Sequence, residues 1–143
     1  MDKIKVVIAG CGGRMGKTLL EGILQSDDLT LYAALEHTSS AQLGKDAGEL
    51  AGSACGVKVT ANVEDALQGA NALIDFTRPE GTMDHLGVCV KLGVPMVIGT
   101  TGFSAQQKAQ LGAAAQHIGI VFAPNMSVGV NLTFKLLEMA SKV

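Results

Sequence analysis

The chain has 143 residues, of which 48% are apolar and 17% charged, with a formal net charge of -2. At ~150 residues per domain this predicts one domain with a sizeable core, and the apolar fraction excludes a disordered chain. Eleven basic and thirteen acidic residues, scattered singly, leave no basic stripe for a nucleic acid. Four Phe, one Tyr and no Trp leave little for a sugar- or base-stacking surface. Glycine is the outlier at 18 residues, against about 10 expected, yet it does not recur at every third position, which excludes collagen. Cys11, Cys55 and Cys89 are odd in number and lack C-x-x-C spacing. They read as free thiols in a reducing compartment rather than a disulfide framework or zinc site. The run after Met1-Asp2-Lys3 is too short for a signal peptide, and no window approaches the ~18 apolar residues of a membrane span. The expectation is a soluble cytoplasmic protein with neither membrane nor nucleic-acid partners.

Short β-branched runs alternate with stretches of helical period along the chain. Residues 4–10 read as a strand, 14–25 as a helix and 29–36 as a second strand. Residues 41–55, punctuated by Gly44, Gly48 and Gly52, read as a surface excursion. A strand at 57–62, a helix at 63–68 and a strand at 72–77 follow. The next helix, 80–92, carries Thr77 as its expected cap, three residues before Glu80, with Pro79 in the first turn. A strand at 95–101 leads to a helix at 104–118, capped by Ser104 with Gln107 three residues on. Leu111, Ala114, Ala115 and Ile118 form its apolar face. Residues 119–125 make a sixth strand, and Ser127 caps a last helical pattern with Val130, Phe134, Leu137 and Ala140 on one face. That pattern stops at Ser141-Lys142-Val143 without a terminator, which suits a domain end and an internal cut of a longer protein equally. Strands that are apolar throughout are covered on both faces. With right-handed crossovers the order gives an α/β fold: a Rossmann-type, doubly wound, mostly parallel sheet with helices on both faces.

The strongest local signal is Gly10-Cys11-Gly12-Gly13-Arg14-Met15-Gly16, directly after the first strand. Glycines there let backbone N–H groups approach a pyrophosphate, and the following helix presents its positive end to the same anion. The spacing is G-x-x-G-x-x-G rather than G-x-G-x-x-G, and a plain strand-to-helix turn would look similar. An acid about 20 residues on, Glu36, completes the dinucleotide pattern, because a carboxylate there accepts the ribose hydroxyls. His37, beside Glu36, stands where a 2′-phosphate would lie. Cys11 sits on the turn at a helix start that would lower its pKa, although a small side chain suits that turn on steric grounds alone. Arg14 either touches phosphate or is solvated.

Gly99-Thr100-Thr101-Gly102 and Ala123-Pro124-Asn125-Met126 end the fifth and sixth strands, at the carboxyl edge where such sheets bind ligands. The first suits a nicotinamide, its ribose or a substrate, or merely a turn. Asn125 suits a carboxamide or holds its own loop. Ser127 has no His or carboxylate placed to activate it, so it reads as a cap and not a nucleophile. His85 and His117 fall inside helices with solvated or packing roles, and no metal-ligand spacing is present.

Four ordered motifs closely resemble the dihydrodipicolinate reductase (4-hydroxy-tetrahydrodipicolinate reductase) family of bacterial diaminopimelate and lysine biosynthesis. They are Val7-Ile8-Ala9-Gly10-Cys11-Gly12-Gly13-Arg14-Met15-Gly16, Asp75-Phe76-Thr77-Arg78-Pro79-Glu80-Gly81-Thr82, Gly99-Thr100-Thr101-Gly102, and Ala123-Pro124-Asn125-Met126-Ser127-Val128-Gly129-Val130-Asn131. The resemblance implies NADH or NADPH as cofactor and hydride transfer to a cyclic imine dicarboxylate. It implies that Gly10, Cys11, Gly12, Gly13, Arg14 and Met15 hold the pyrophosphate and Glu36 the adenosine ribose. It places Gly99, Thr100, Thr101, Ala123, Pro124, Asn125 and Met126 on the nicotinamide side, with Thr101 a candidate substrate contact. The family position matching His37 is often Arg, so His leaves the NADH/NADPH preference open. A second domain with a His-His-x-x-Lys motif is implied to bind substrate, supply the proton and form a homotetramer. That motif is absent from this sequence, so no catalytic residue is assigned to it. The expected organisation is a dinucleotide-binding domain over 1–130 and a helix at 131–143 leading toward the missing domain, with this chain monomeric and inactive by itself.

Two rivals come from other classes. A non-catalytic nucleotide sensor or CoA-binding module would not need an acid at Glu36, so ribose-dependent binding separates them. A short-chain dehydrogenase needs Tyr-x-x-x-Lys, and the one tyrosine, Tyr32, has Glu36 four residues on.

Overall fold

In the computed structural model, which describes residues 2–142, six strands alternate with five helices. They are β1 (Ile4–Ala9), α1 (Arg14–Leu24), β2 (Leu29–Leu35), β3 (Val59–Thr60), α2 (Val63–Leu67), β4 (Ala72–Asp75), α3 (Pro79–Leu92), β5 (Met96–Ile98), α4 (Ala105–Ala114), β6 (Ile120–Phe122) and α5 (Val128–Ala140). Every expected strand and helix is present, but each strand ends one to three residues before its apolar run does. Those trailing residues have left the sheet to form the loops at its carboxyl edge.

All five strand pairings are parallel, in the order β3-β2-β1-β4-β5-β6. The winding direction reverses between β1 and β4, so the loops after those strands diverge and leave a crevice. Alternation along β1 builds a core on each face. Val6 and Ile8 pack with Leu20, Ile23 and Leu31 under α1, whereas Val7 and Ala9 pack with Leu73, Met96, Leu86 and Leu111 under α3 and α4. Each fully buried Val, Leu or Ile here contributes about 1.5–3 kcal/mol, so layering on the sheet outweighs intrinsic helix propensity.

Four local expectations are corrected. Residues 41–55 are not a simple surface excursion, because Ala47 and Gly48 are buried and Leu43, Leu50 and Ala51 pack on the α1-side core. The segment folds back on the strand β3, with Gly44 N–H to Val59 O at 2.9 Å and Val59 N–H to Lys45 O at 2.9 Å. Helix α4 stops at Ala114, which leaves Ala115 exposed while Leu111, Ala114 and Ile118 are buried. The cap of α3 is Arg78 and not Thr77, whose hydroxyl is taken by Asp75 instead. Helix α5 buries none of its residues: Phe134 is 61% exposed and only Val130, of its expected apolar face, is half-buried. Ser104 and Ser127 do cap α4 and α5, and Ser104 closes the capping box with Gln107.

The 46–56 loop is tied by one carboxylate. Asp46 accepts from the amides of Gly48 (2.8 Å), Cys55 (2.9 Å) and Gly56 (2.7 Å). The Cys55 and Gly56 amides are the main cause that lowers its pKa from 3.8 to about 2. Because the folded value is depressed, this clamp is complete above about pH 4 and is lost as pH falls toward 2. Hydrogen exchange at about pH 3 should therefore find the Cys55 and Gly56 amides still protected, and Asp46→Ala should expose both. Equal protection in wild type and variant would refute the clamp. Among the described residues, no helix is long and apolar enough to cross a membrane.

Candidate functional site

The chain leaves β1 through Gly10, whose φ of +74° is left-handed. A side chain there would lie 2.9 Å from Thr77 Cγ2, so the glycine admits both the turn and the neighbouring loop. Gly13 caps α1 without a side chain, so the amides of Arg14, Met15 and Gly16 have no capping oxygen. Cys11 faces inward and is fully buried. Burial first, and then the Glu36 charge, push its thiol up to about 12, which reverses the expected lowering. The helix end is outweighed because Sγ lies in the core and not before the amides.

Glu36 lies just beyond β2 and is half-buried. Its Oε1 accepts the Gly12 N–H at 2.7 Å and its Oε2 the His37 N–H at 3.3 Å. The carboxylate thus joins the glycine turn to the second strand while keeping lone pairs for ribose hydroxyls. His37 is exposed, with Nδ1 turned back on Ser39: it lies 2.8 Å from Ser39 Oγ and accepts Ser39 N–H at 3.2 Å. Nε2 is then the nitrogen left to meet a ligand.

A cleft of about 340 Å³ opens at the carboxyl edge between β1, β4 and β5. Gly13, Arg14 and Met15 line one side, 76–79 the floor, and Gly99, Thr100 and Thr101 the other side. Gly99 is required there, since any β-carbon would overlap the Phe76 ring. Thr100 and Thr101 part company: Thr101 is exposed at the mouth, whereas Thr100 is 3% exposed and turns its hydroxyl inward to Asp75. Ala123, Pro124, Asn125 and Met126 follow β6 and are not in the cleft wall. Asn125 holds its own loop, accepting the Ser127 N–H at 2.8 Å and, through its carbonyl, the Asn131 amide at 3.0 Å.

Below the floor lies a buried polar cluster. Asp75, at the end of β4, is fully buried. Its Oδ1 accepts from Thr77 Oγ1 (2.6 Å), Thr77 N–H (2.9 Å) and Thr100 Oγ1 (3.3 Å), and its Oδ2 pairs with His85 Nδ1 (2.7 Å). Burial is the largest influence on this carboxyl and raises its pKa, but the bonds and charge of His85 and then Thr77 together hold it below the ordinary value. His85 is therefore neither solvated nor apolar packing. His117 is exposed and lies not inside a helix but in the turn after α4, on the groove between α3 and α4. Cys89 is buried, its thiol pushed up to about 12 by burial and by Asp75, and none of the three cysteines is disulfide-bonded.

The family model for the N-terminus of dihydrodipicolinate reductase matches residues 4–126. The chain belongs to the dihydrodipicolinate reductase family. Relatives named 4-hydroxy-tetrahydrodipicolinate reductase include proteins of Nitrosospira multiformis, 54% identical over 143 residues, and Cupriavidus pinatubonensis, 57% identical over 140 residues. These matches take in 100% and 98% of this chain but 53% of each relative, so the chain spans about half the length of the curated relatives it matches. The dipicolinate-bound dihydrodipicolinate reductase of Paenisporosarcina sp. TG-14 superposes with a TM-score of 0.79 at 28% identity, over 98% of this chain and 54% of that one. An amine dehydrogenase of Mycobacterium smegmatis shares the fold alone, with a TM-score of 0.66 at 22% identity, over 83% of this chain and 38% of that one.

In this dihydrodipicolinate reductase domain the cleft floor, Phe76, Thr77, Arg78 and Pro79, is what residue-by-residue reasoning missed. Its motif was visible, but nothing in spacing says that the residues after the fourth strand lie beside those after the first. Strand order decides that.

Proposed function

We propose that this chain is the NAD(P)H-binding half of a 4-hydroxy-tetrahydrodipicolinate reductase, serving diaminopimelate and lysine biosynthesis. One observation carries the dinucleotide reading. Among the described residues, the helices away from the cleft are capped by side chains, α2 by Asn62, α4 by Ser104 and α5 by Ser127. The two that start at the cleft, α1 and α3, have no side-chain cap. Their open amides and positive ends converge, with Arg14 and Arg78 alongside, on a space lacking any carboxylate in its wall. That arrangement suits a pyrophosphate.

The fit extends outward from there. Gly10, Cys11, Gly12, Gly13, Arg14 and Met15 supply backbone to the pyrophosphate, and Glu36 accepts the adenosine ribose. Gly99, Thr100 and Thr101 take the nicotinamide side, with Ala123, Pro124, Asn125 and Met126 beyond them and Thr101 nearest a substrate. A bound dihydronicotinamide supplies the hydride, and the residues of this chain bind and orient it. We propose the domain over 1–130, with α5 leading toward the remainder of a reductase that assembles as a homotetramer.

Titration calorimetry with NADH and NADPH tests the reading. Both should bind, and Glu36→Ala should weaken NADH by roughly 1–3 kcal/mol, because the ribose hydroxyls lose a charged acceptor. No heat with either cofactor at millimolar concentration would refute it.

Cofactor choice turns on His37. Glu36 repels a 2′-phosphate, and a fixed positive charge at position 37 would offset it. His37→Arg should therefore raise NADPH affinity relative to NADH, through charge-assisted bonds to the phosphate. Unchanged selectivity in the Arg variant would remove position 37 from this role.

A further inference from the structure

Asp75 poses a problem that its neighbours solve. A fully buried carboxylate is tolerated only when its oxygens are hydrogen-bonded. An ionised carboxylate only accepts, and each contact here can donate. Thr82, also fully buried, donates its hydroxyl to Thr100 Oγ1 at 3.0 Å, and Thr100 donates onward to Asp75. The Thr77 amide lies between the two acceptors, 2.9 Å from Asp75 Oδ1 and 3.0 Å from Thr100 Oγ1. One carboxylate therefore ties the loop after β4 to the loop after β5, the floor and far wall of the cleft. His85 comes from the second turn of α3 and supplies Oδ2 with its 2.7 Å partner.

We propose that His85 is a positioning residue for the nicotinamide end of the cleft: acting through Asp75, it holds the 76–78 and 99–101 loops at the spacing a bound dinucleotide requires. The proposal rests on the dinucleotide reading above. Without His85, Oδ2 is buried with no donor, and the carboxyl must take up a proton or move. Either change disturbs the three bonds on Oδ1 that fix Thr77 and Thr100. The adenosine end, built by Gly12 after β1 and Glu36 after β2, shares none of these bonds.

The test compares NADH with AMP by calorimetry on the 143-residue chain; AMP has the adenine, its ribose and one phosphate, but neither the second phosphate that Arg78 and the start of α3 face nor the nicotinamide riboside. His85→Leu should weaken NADH about tenfold and AMP by less than about twofold. His85→Asn should recover most of the loss, because its amide nitrogen is as many bonds from Cα as imidazole Nδ1. Thr82→Val removes the terminal donor of the Thr82–Thr100–Asp75 chain with little change in volume, and should lower the NADH to AMP affinity ratio in the same direction. It keeps the idea testable if His85→Leu does not fold by circular dichroism. A purely structural role would weaken both ligands together, and that result, or an unchanged ratio in folded variants, would overturn the proposal. Wild-type chain that binds NADH no better than AMP would also overturn it. Binding of neither ligand would instead remove the dinucleotide reading itself.

Discussion

Gly16→Ala should abolish dinucleotide binding and lower the melting temperature by about 10 °C. A β-carbon at this position would overlap the Gly10 carbonyl oxygen and lie 2.7 Å from Cys11 Cα and 2.8 Å from Cys11 C. All three are backbone atoms of the glycine turn, so no rotamer change relieves them. Helix α1 would have to back away from the end of β1, at a cost of about 3 kcal/mol. That movement also misaligns the amides of Arg14, Met15 and Gly16, which have no side-chain cap to hold them. Gly22, exposed in the same helix and with nothing within 4 Å of where a β-carbon would lie, is the control. There alanine should stabilise by about 0.5–1 kcal/mol and leave binding unchanged. Wild-type melting and binding in the Gly16 variant would show that the turn and the helix are not in the register described.

The second large effect is on turnover. This chain should bind cofactor yet show no reduction of 4-hydroxy-tetrahydrodipicolinate, the substrate class proposed above. Hydride transfer to an imine carbon leaves charge on nitrogen unless a positioned acid donates a proton in the same step. In the cleft wall, among the described residues, only Arg14 and Arg78 carry charge, and a guanidinium is a hydrogen-bond donor rather than a general acid. His85 is bound to Asp75, His117 is exposed beyond α4, and Lys142 pairs with Glu138 at 2.7 Å. A missing general acid alone costs roughly a hundred- to ten-thousand-fold in rate, and loss of substrate orientation adds to it. The assay is NADPH oxidation with enzymatically generated substrate, comparing this chain with a full-length relative. Similar rates would place a complete active site within these residues and refute the assignment.

How legible all this was depends on the range of the interaction. Element types followed from local rules: apolar runs in the strands, helical period between them, and Ser104 and Ser127 at helix starts. The glycine turn and Glu36 could be read because a bond of 2.7 Å between residues 12 and 36 belongs to one β-turn-α-β unit. Such units repeat the same geometry wherever their spacing recurs. Thr77 shows where local reasoning fails. Its spacing to Glu80 suits a cap, but a buried carboxylate two residues earlier takes its hydroxyl. Cys11 fails for a related reason, since its exposure and not its place on the turn sets its pKa.

By itself, then, the sequence determined the α/β alternation, the turn chemistry after the first strand, and the family through four ordered motifs. Tertiary structure alone decided that β4 sits beside β1 and β5 beside β4, that Phe76 to Pro79 floor the cleft, and that His85 reaches Asp75. It also decided that the 41–55 segment closes over α1 and that α5 buries none of its residues. The physical reason is that propensity and capping act within about a turn of the chain, whereas strand order and the satisfaction of buried charge are properties of the whole packed sheet.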